Sequence, residues 1–404
     1  MLQYMDYVQN AFYGTTRWNR DNFYGTLTAT ANALLDFQTP HGLTLNLSSL
    51  SSSNLATSYA LGSKGVVDGS VSFLYSSLPL RIPSKSHEVY LRHLVPGYRR
   101  LRELVQPQEA YKLSPRPADK KDTLLYGRLF LPASTLHALY LRRISATRLL
   151  RLSCVSDANL PNGGNVLAIL QEDRGKYSTE WLYSTDSSLL GFRGLYNFGF
   201  DPRNAASGTA AAEAPLFASK HPLLSGSDHH HGRLSAGGEV YFSPLNKSGG
   251  MSTAVRFATL PTHPGFPYTM TLTFNPLMGS ISSSYAVQAV DELAFCSRFN
   301  FNFYSYESDV QLGMELWRRK LGDAETAWAR RLLRSDWRRH SDDFATATEE
   351  FESVLKANVD QNWKIGILWE GRINELLVSI GGRLDLRNRD RLFGGVGVEV
   401  SYSS

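Results

Sequence analysis

A change of hydrophobic period at Gly42 constrains this chain more than any other feature. Before it, apolar residues recur at helical spacing. From Gly42 to the C-terminus they alternate: Leu43, Leu45 and Leu47 with Thr44, Asn46 and Ser48, and Tyr268, Met270, Leu272 and Phe274 with Thr269, Thr271, Thr273 and Asn275. Alternation of this kind marks a strand with one apolar and one polar face. About nineteen such runs follow one another, most of 8 to 11 residues, the length of a tilted bilayer-crossing strand. The fourteenth, over 293–304, sets Phe295, Phe299, Phe301 and Phe303 against Cys296, Arg298, Asn300, Asn302 and Tyr304. The seventeenth, over 362–370, carries Trp363, Ile365, Ile367 and Trp369 in one row.

Three long segments interrupt the series, at 77–122, 199–234 and 318–348, after the third, ninth and fifteenth strands. Connections after odd strands of an up-and-down meander leave from one rim, so all three insertions fall on one side, as in membrane barrels. Soluble sandwich strands alternate too. However, an open twisted sheet rarely exceeds ~10 strands, so nineteen in sequence predict closure. The predicted fold is all-β: a transmembrane β-barrel over 42–404 behind an N-terminal helical segment, 1–41. In that segment Leu2, Met5, Val8 and Phe12 share one face and Leu27, Ala31, Leu34 and Leu35 another, with Asp21 as N-cap of the second helix.

Composition narrows the function classes. A mean hydropathy of -0.25 and no apolar run long enough for a spanning helix exclude a helical membrane protein, but a barrel averages as mildly, since half its strand residues face a polar lumen. Two cysteines, Cys154 and Cys296, exclude a disulfide scaffold and read as separate free thiols. The N-terminus lacks the basic region and cleavage site of a secretory signal. No nucleophile elbow, Walker loop or zinc-protease motif occurs, and His229, His230 and His231 lack a zinc frame. No catalytic residue, metal or cofactor is expected.

Several segments resemble one family. Met1 through Tyr13, Trp18, Asp21, Asn22, Tyr24, Leu34 through Phe37, Pro40, Gly42 and the run that follows are similar to the fungal mitochondrial distribution and morphology protein ten family, as are Phe303 through Asp309 and Asn362 through Gly371. The resemblance implies a nineteen-stranded barrel like the voltage-dependent anion channel, in the mitochondrial outer membrane. It implies both termini in the intermembrane space, with odd-strand loops in the cytosol. It also implies two non-enzymatic roles: membrane anchor of the ER-mitochondria encounter structure, ERMES, which supports phospholipid exchange, and subunit of the sorting and assembly machinery, SAM, which inserts β-barrels. The expected partners are the other ERMES subunits, SAM subunits including its central barrel, and membrane lipid, with no nucleic acid. A metabolite- or protein-conducting pore and a soluble β-rich carbohydrate-binding protein are the alternatives.

Mitochondrial barrels end in a sorting signal of a polar residue, a glycine and two alternating hydrophobics, read by strand addition. Gly397, Val400 and Tyr402 fit its last three slots, and Gly395 falls where the polar residue belongs. Phe73 and Tyr75, and Phe299, Phe301 and Phe303, form outward aromatic rows suited to lipid contact or, in view of the family, to docking partners. The net charge of +5 is unevenly placed: 84–121 holds nine Lys/Arg against four Asp/Glu, 318–340 eight against three, and 341–352 five acids and no base. Trp328, Leu332 and Trp337 beside Arg330, Arg331, Arg334, Arg338 and Arg339 could form a basic amphipathic helix or a solvated loop, and 205–231 reads as a linker.

Overall fold

The computed structural model describes residues 1–63, 67–80, 82–101, 104, 122–160, 163–198, 232–261, 263, 265–319, 351–387 and 393–404. The predicted histidine cluster, the linker and the basic amphipathic segment lie outside them. Nineteen strands form one closed sheet. In chain order they are β1 Gly42–Ser52, β2 Leu55–Ser63, β3 Val67–Ser76, β4 Thr123–Leu131, β5 Thr135–Arg143, β6 Arg148–Ser156, β7 Gly164–Asp173, β8 Tyr177–Ser184 and β9 Leu189–Phe198. After them come β10 Gly232–Ser243, β11 Ser248–Thr259, β12 Tyr268–Asn275, β13 Ser280–Val290, β14 Leu293–Asn302, β15 Glu307–Arg319, β16 Phe351–Asp360, β17 Lys364–Ile373, β18 Leu376–Asp385 and β19 Phe393–Ser403. Every sequential pair is antiparallel, and β1 meets β19 in parallel, from Gly42 opposite Gly397 to Ser48 opposite Ser403. Closure removes the sheet edges that an open meander would expose.

The alternation sorts side chains in the reverse of a soluble protein. Leu43, Leu45, Met270, Leu272, Ile367 and Ile380 are exposed, whereas Thr269, Thr271, Ser235, Ser284 and Ser379 are buried. An apolar exterior around polar inward positions suits hydrocarbon and argues against a soluble sandwich.

Inside the barrel, the N-terminal segment touches the wall in three separated sectors. Helix α1, Tyr4–Thr16, ends where Arg17 turns left-handed (φ 53°) and Trp18 N–H donates to the Tyr13 carbonyl at 2.9 Å. Its Met5, Val8 and Phe12 pack in one cluster with Leu74 of β3, Leu124 of β4, Leu139 and Leu141 of β5 and Leu149 of β6. A 3-10 turn, Tyr24–Thr26, meets Leu195 of β9 and Ala254 of β11. Helix α2, Ala29–Leu35, lays Ala31, Leu34 and Leu35 on Ala286, Ala294 and Cys296 of β13 and β14. Each fully buried Leu or Phe contributes roughly 1.5–3 kcal/mol. The N-cap of α2 is Thr28, not Asp21. Asp21 instead pairs with Arg99 at 3.1 Å, while its carbonyl accepts from Arg256.

The first insertion also turns inward. Leu78, Leu80, Val89, Leu91, Leu94 and Val95 are buried, with a short helix α3 over Leu91–Leu94. Most strand ends differ from expectation by one to three residues, and two of these shifts take residues of the predicted rows out of their strands. β14 stops at Asn302, so Phe303 belongs to the following turn and not to the strand; Trp363 likewise precedes β17, at φ 58°.

The expected sidedness fails in one respect. An odd strand count makes β19 run parallel to β1, so its C-terminal end reaches the rim of the odd-strand connections. Ser86, in the first insertion, donates its backbone N–H to the Ser403 carbonyl at 3.2 Å, and Ser403 Oγ donates to the Ser84 carbonyl at 2.7 Å. The C-terminus and the insertions therefore share one rim.

Candidate functional site

The outer wall carries the predicted aromatic rows. Phe73 and Tyr75 on β3 are 51 % and 49 % exposed, and Phe299 on β14 is 47 % exposed with Phe301 half-buried beside it. Phe303 leaves the row: its backbone N–H donates to Gly279 at 2.8 Å and its ring stacks on Phe274. From β3 the ring runs two strands to β1, one step across the seam to β19 and five more to β14. Eight steps of nineteen place the rows on nearly opposite walls. They also differ in height, because Tyr75 is next to the last residue of β3 while Phe301 is next to the last of β14, an even strand that ends at the other rim.

The closing strand has an unanticipated feature. Val400 and Tyr402 point outward, opposite Leu45 and Leu47 of β1, and Gly397 points inward. A Cβ at Gly397 would lie 2.4 Å from the Pro40 carbonyl oxygen and 2.6 Å from His41 N; one at Gly381 would lie 3.0 Å from Pro40 Cδ. Gly395 holds φ at +132° beside His41. These glycines clear a passage along which the chain leaves the lumen and enters β1.

Charged side chains fasten the contents of the lumen. Glu315 of β15 and Lys356 of β16, both 1 % exposed, are cross-strand neighbours. Lys356 Nζ donates to the Pro96 carbonyl, and Gly97 lies so close to the Glu315 carboxylate that a Cβ there would displace it. Arg372 of β17 donates to the carbonyls of His87, at 3.1 Å, and Val89. Asn22 Nδ2 donates to Asp173 Oδ1 at 2.7 Å and to the Gly175 carbonyl at 2.9 Å, and Asn22 Oδ1 accepts from Asn197 Nδ2 at 2.6 Å. Arg298 grips Asp36 at 2.5 Å and Asn358 Nδ2 donates to the Leu35 carbonyl, closing the end of α2. The Met1 amino group meets Glu370 on β17, and burial pulls it down to about 6 against the opposing pull of the Glu399 carboxylate. Burial pushes the Tyr7 phenol up to about 12. Sequence reading missed these anchors. The signal available was the placement of Glu315, Lys356 and Glu370 at inward positions of long strands, where charge requires a partner.

Among the described residues no cluster of His, Cys, Asp or Glu could hold a metal. Cys154 and Cys296 are separate thiols, as expected.

A closed nineteen-strand barrel, apolar outside and internally occupied by its own N-terminal segment, belongs to the β-barrel class of membrane proteins. The family model described as Mitochondrial distribution and morphology protein 10 matches residues 1–330 and 325–404, and the chain belongs to that family. Proteins of that name are 57 % identical in Phaeosphaeria nodorum and 54 % identical in Sclerotinia sclerotiorum, each match covering 100 % of both chains. A third, from Podospora anserina, is 42 % identical, again over the whole of both chains.

Proposed function

We propose that this chain is a non-catalytic scaffold of the mitochondrial outer membrane, shared between two assemblies. In ERMES it anchors the tether to the endoplasmic reticulum and supports phospholipid exchange; in SAM it takes part in β-barrel assembly beside the central barrel. The observation that carries the reading is the pair of aromatic rows on nearly opposite walls and at different heights of one closed barrel. Two partners could occupy the two walls at once, each anchored on aromatic area that is desolvated at low entropic cost. Residues 1–41 act as an internal plug and 42–404 as the barrel, with Gly397, Val400 and Tyr402 forming its sorting signal. A wide conducting pore is the weaker reading, because α1, α2 and the first insertion pack within the lumen.

The test replaces Phe73 and Tyr75 by Ala, and separately Phe299 and Phe301 by Ala, and follows co-purification in mild detergent. Each pair should lose one set of partners and keep the other. Equal retention of both sets by both variants would refute the docking assignment. Alkaline carbonate extraction checks the location: the chain should stay with the membrane pellet.

A further inference from the structure

A lumenal cavity of about 700 Å³ lies beside the plug. Five arginines and three acids line it. Three of these arginines come from different parts of the chain: Arg20 from the link after α1, Arg99 from the first insertion and Arg151 from the inward face of β6. The acids are largely committed elsewhere. Asp291 pairs with Arg100, and Glu315 faces Lys356 across the strands. Among the described lining residues Asp6 alone is left to offset the cluster, with Asp21 engaging Arg99 from outside the cavity.

The arginines are not equally satisfied. Arg99 has Asp21, and Arg20 lies over the Tyr13 ring at 4.7 Å and donates to Asn10 Oδ1. The Nε of Arg151 is buried and has no hydrogen-bond partner among the described residues. Desolvation within the barrel, together with the like charges of Arg99 and Arg151, pulls the Arg20 guanidinium below its usual range. An unpartnered guanidinium N–H at the wall of a ligand-sized space, beside the like charges of Arg20 and Arg99, leaves a donor and positive charge that the described residues do not answer in full.

We propose that Arg20, Arg99 and Arg151 form a binding site for a phosphate-bearing anion inside the barrel. Planar guanidinium forks match phosphate oxygens in pairs, and the volume admits a group well beyond a single phosphate. The surrounding Asn10 and Tyr13 supply polar and aromatic surface for the remainder of the ligand. A soluble phosphorylated metabolite and a lipid phosphomonoester headgroup present the same chemistry, and the experiment separates them.

The full chain in dodecyl maltoside micelles is titrated with sodium pyrophosphate, and in a second arm with dioctanoyl phosphatidic acid. Melting temperature is read against sodium chloride at equal ionic strength. Saturable stabilisation is expected, with Arg151→Gln and Arg20→Gln each weakening apparent affinity by about ten-fold or more. Without ligand, Arg151→Gln should melt no lower than the parent, since it removes an unanswered charge. Saturation by pyrophosphate assigns a soluble ligand, and saturation by phosphatidic acid alone assigns a lipid headgroup. Absence of saturable binding in both arms overturns the site. So does equal binding by the parent and both variants, or a lower melting temperature of Arg151→Gln with binding unchanged.

Discussion

Replacing Gly397 by Ala should destabilise the barrel, although a strand ordinarily gains from that change. Glycine in a strand interior costs about 0.5–1 kcal/mol relative to Ala, so an open site would return that amount. At Gly397 the new Cβ would meet Pro40 O at 2.4 Å, Pro40 C at 2.5 Å and His41 N at 2.6 Å, all of them backbone atoms. Relief means moving the segment that leads into β1, and with it the seam between β1 and β19. Overpacking of this kind costs about 1–3 kcal/mol, more than the gain. Gly127 on β4 is the control, because a Cβ there would have nothing within 4 Å. Urea unfolding of the refolded chain in micelles should show Gly397→Ala less stable than Gly127→Ala by about 2 kcal/mol. Equal midpoints would refute the steric account. A peptide of residues 393–404 separates packing from addressing, since it lacks Pro40. If the glycine also serves the sorting signal, the wild-type peptide should block barrel assembly in isolated mitochondria and the Ala peptide should not.

Other perturbations test the plug. Lys356→Met leaves the Glu315 carboxylate buried without its cross-strand cation and should cost about 3–5 kcal/mol in urea unfolding, most of it recovered in the double variant with Glu315→Leu. Asn22→Ala removes the hydrogen bonds to Asp173, Gly175 and Asn197 and should cost about 1–3 kcal/mol at that contact. Limited proteolysis should then cut the N-terminal segment faster while the strands stay protected. At Gly313 a Cβ would lie 2.7 Å from Leu35 Cδ2 and 2.9 Å from the Leu34 carbonyl oxygen, so Gly313→Leu should expel α2 and raise single-channel conductance in planar bilayers. Unchanged conductance would mean that α2 does not obstruct the lumen.

The strands were legible because their signal is local: every second residue from Leu43 to Leu47, or from Tyr268 to Phe274, reports one face, and the turns follow from where alternation stops. What alternation cannot report is what the inner face touches. The sequence does hold a trace of the answer. Leu124 on the inner face of β4 lies beside Leu125 on the outer, Leu141 of β5 beside Tyr140 and Leu149 of β6 beside Leu150, and all three inward leucines are fully buried in the cluster that holds Met5, Val8 and Phe12. Where a strand is apolar on both faces neither face needs water, so these leucines mark where the plug's apolar cluster meets the wall, although Arg151 shares the inner face of β6. The opposite sector reads differently, with small inward residues, Ala286, Ala294 and Gly313, admitting the closer approach of α2. The sidedness of the C-terminus was legible too, from parity alone: nineteen strands place the two ends of the sheet at opposite rims, so both chain termini share a side only if the N-terminal segment traverses the lumen. Asn22 sits beside Gly175 in an odd-strand turn, whereas Pro40 and His41 lie beside Gly395 and Gly397 near the start of β19. That path crosses the barrel from one rim towards the other, so the segment that fills the lumen also delivers the chain to the start of β1.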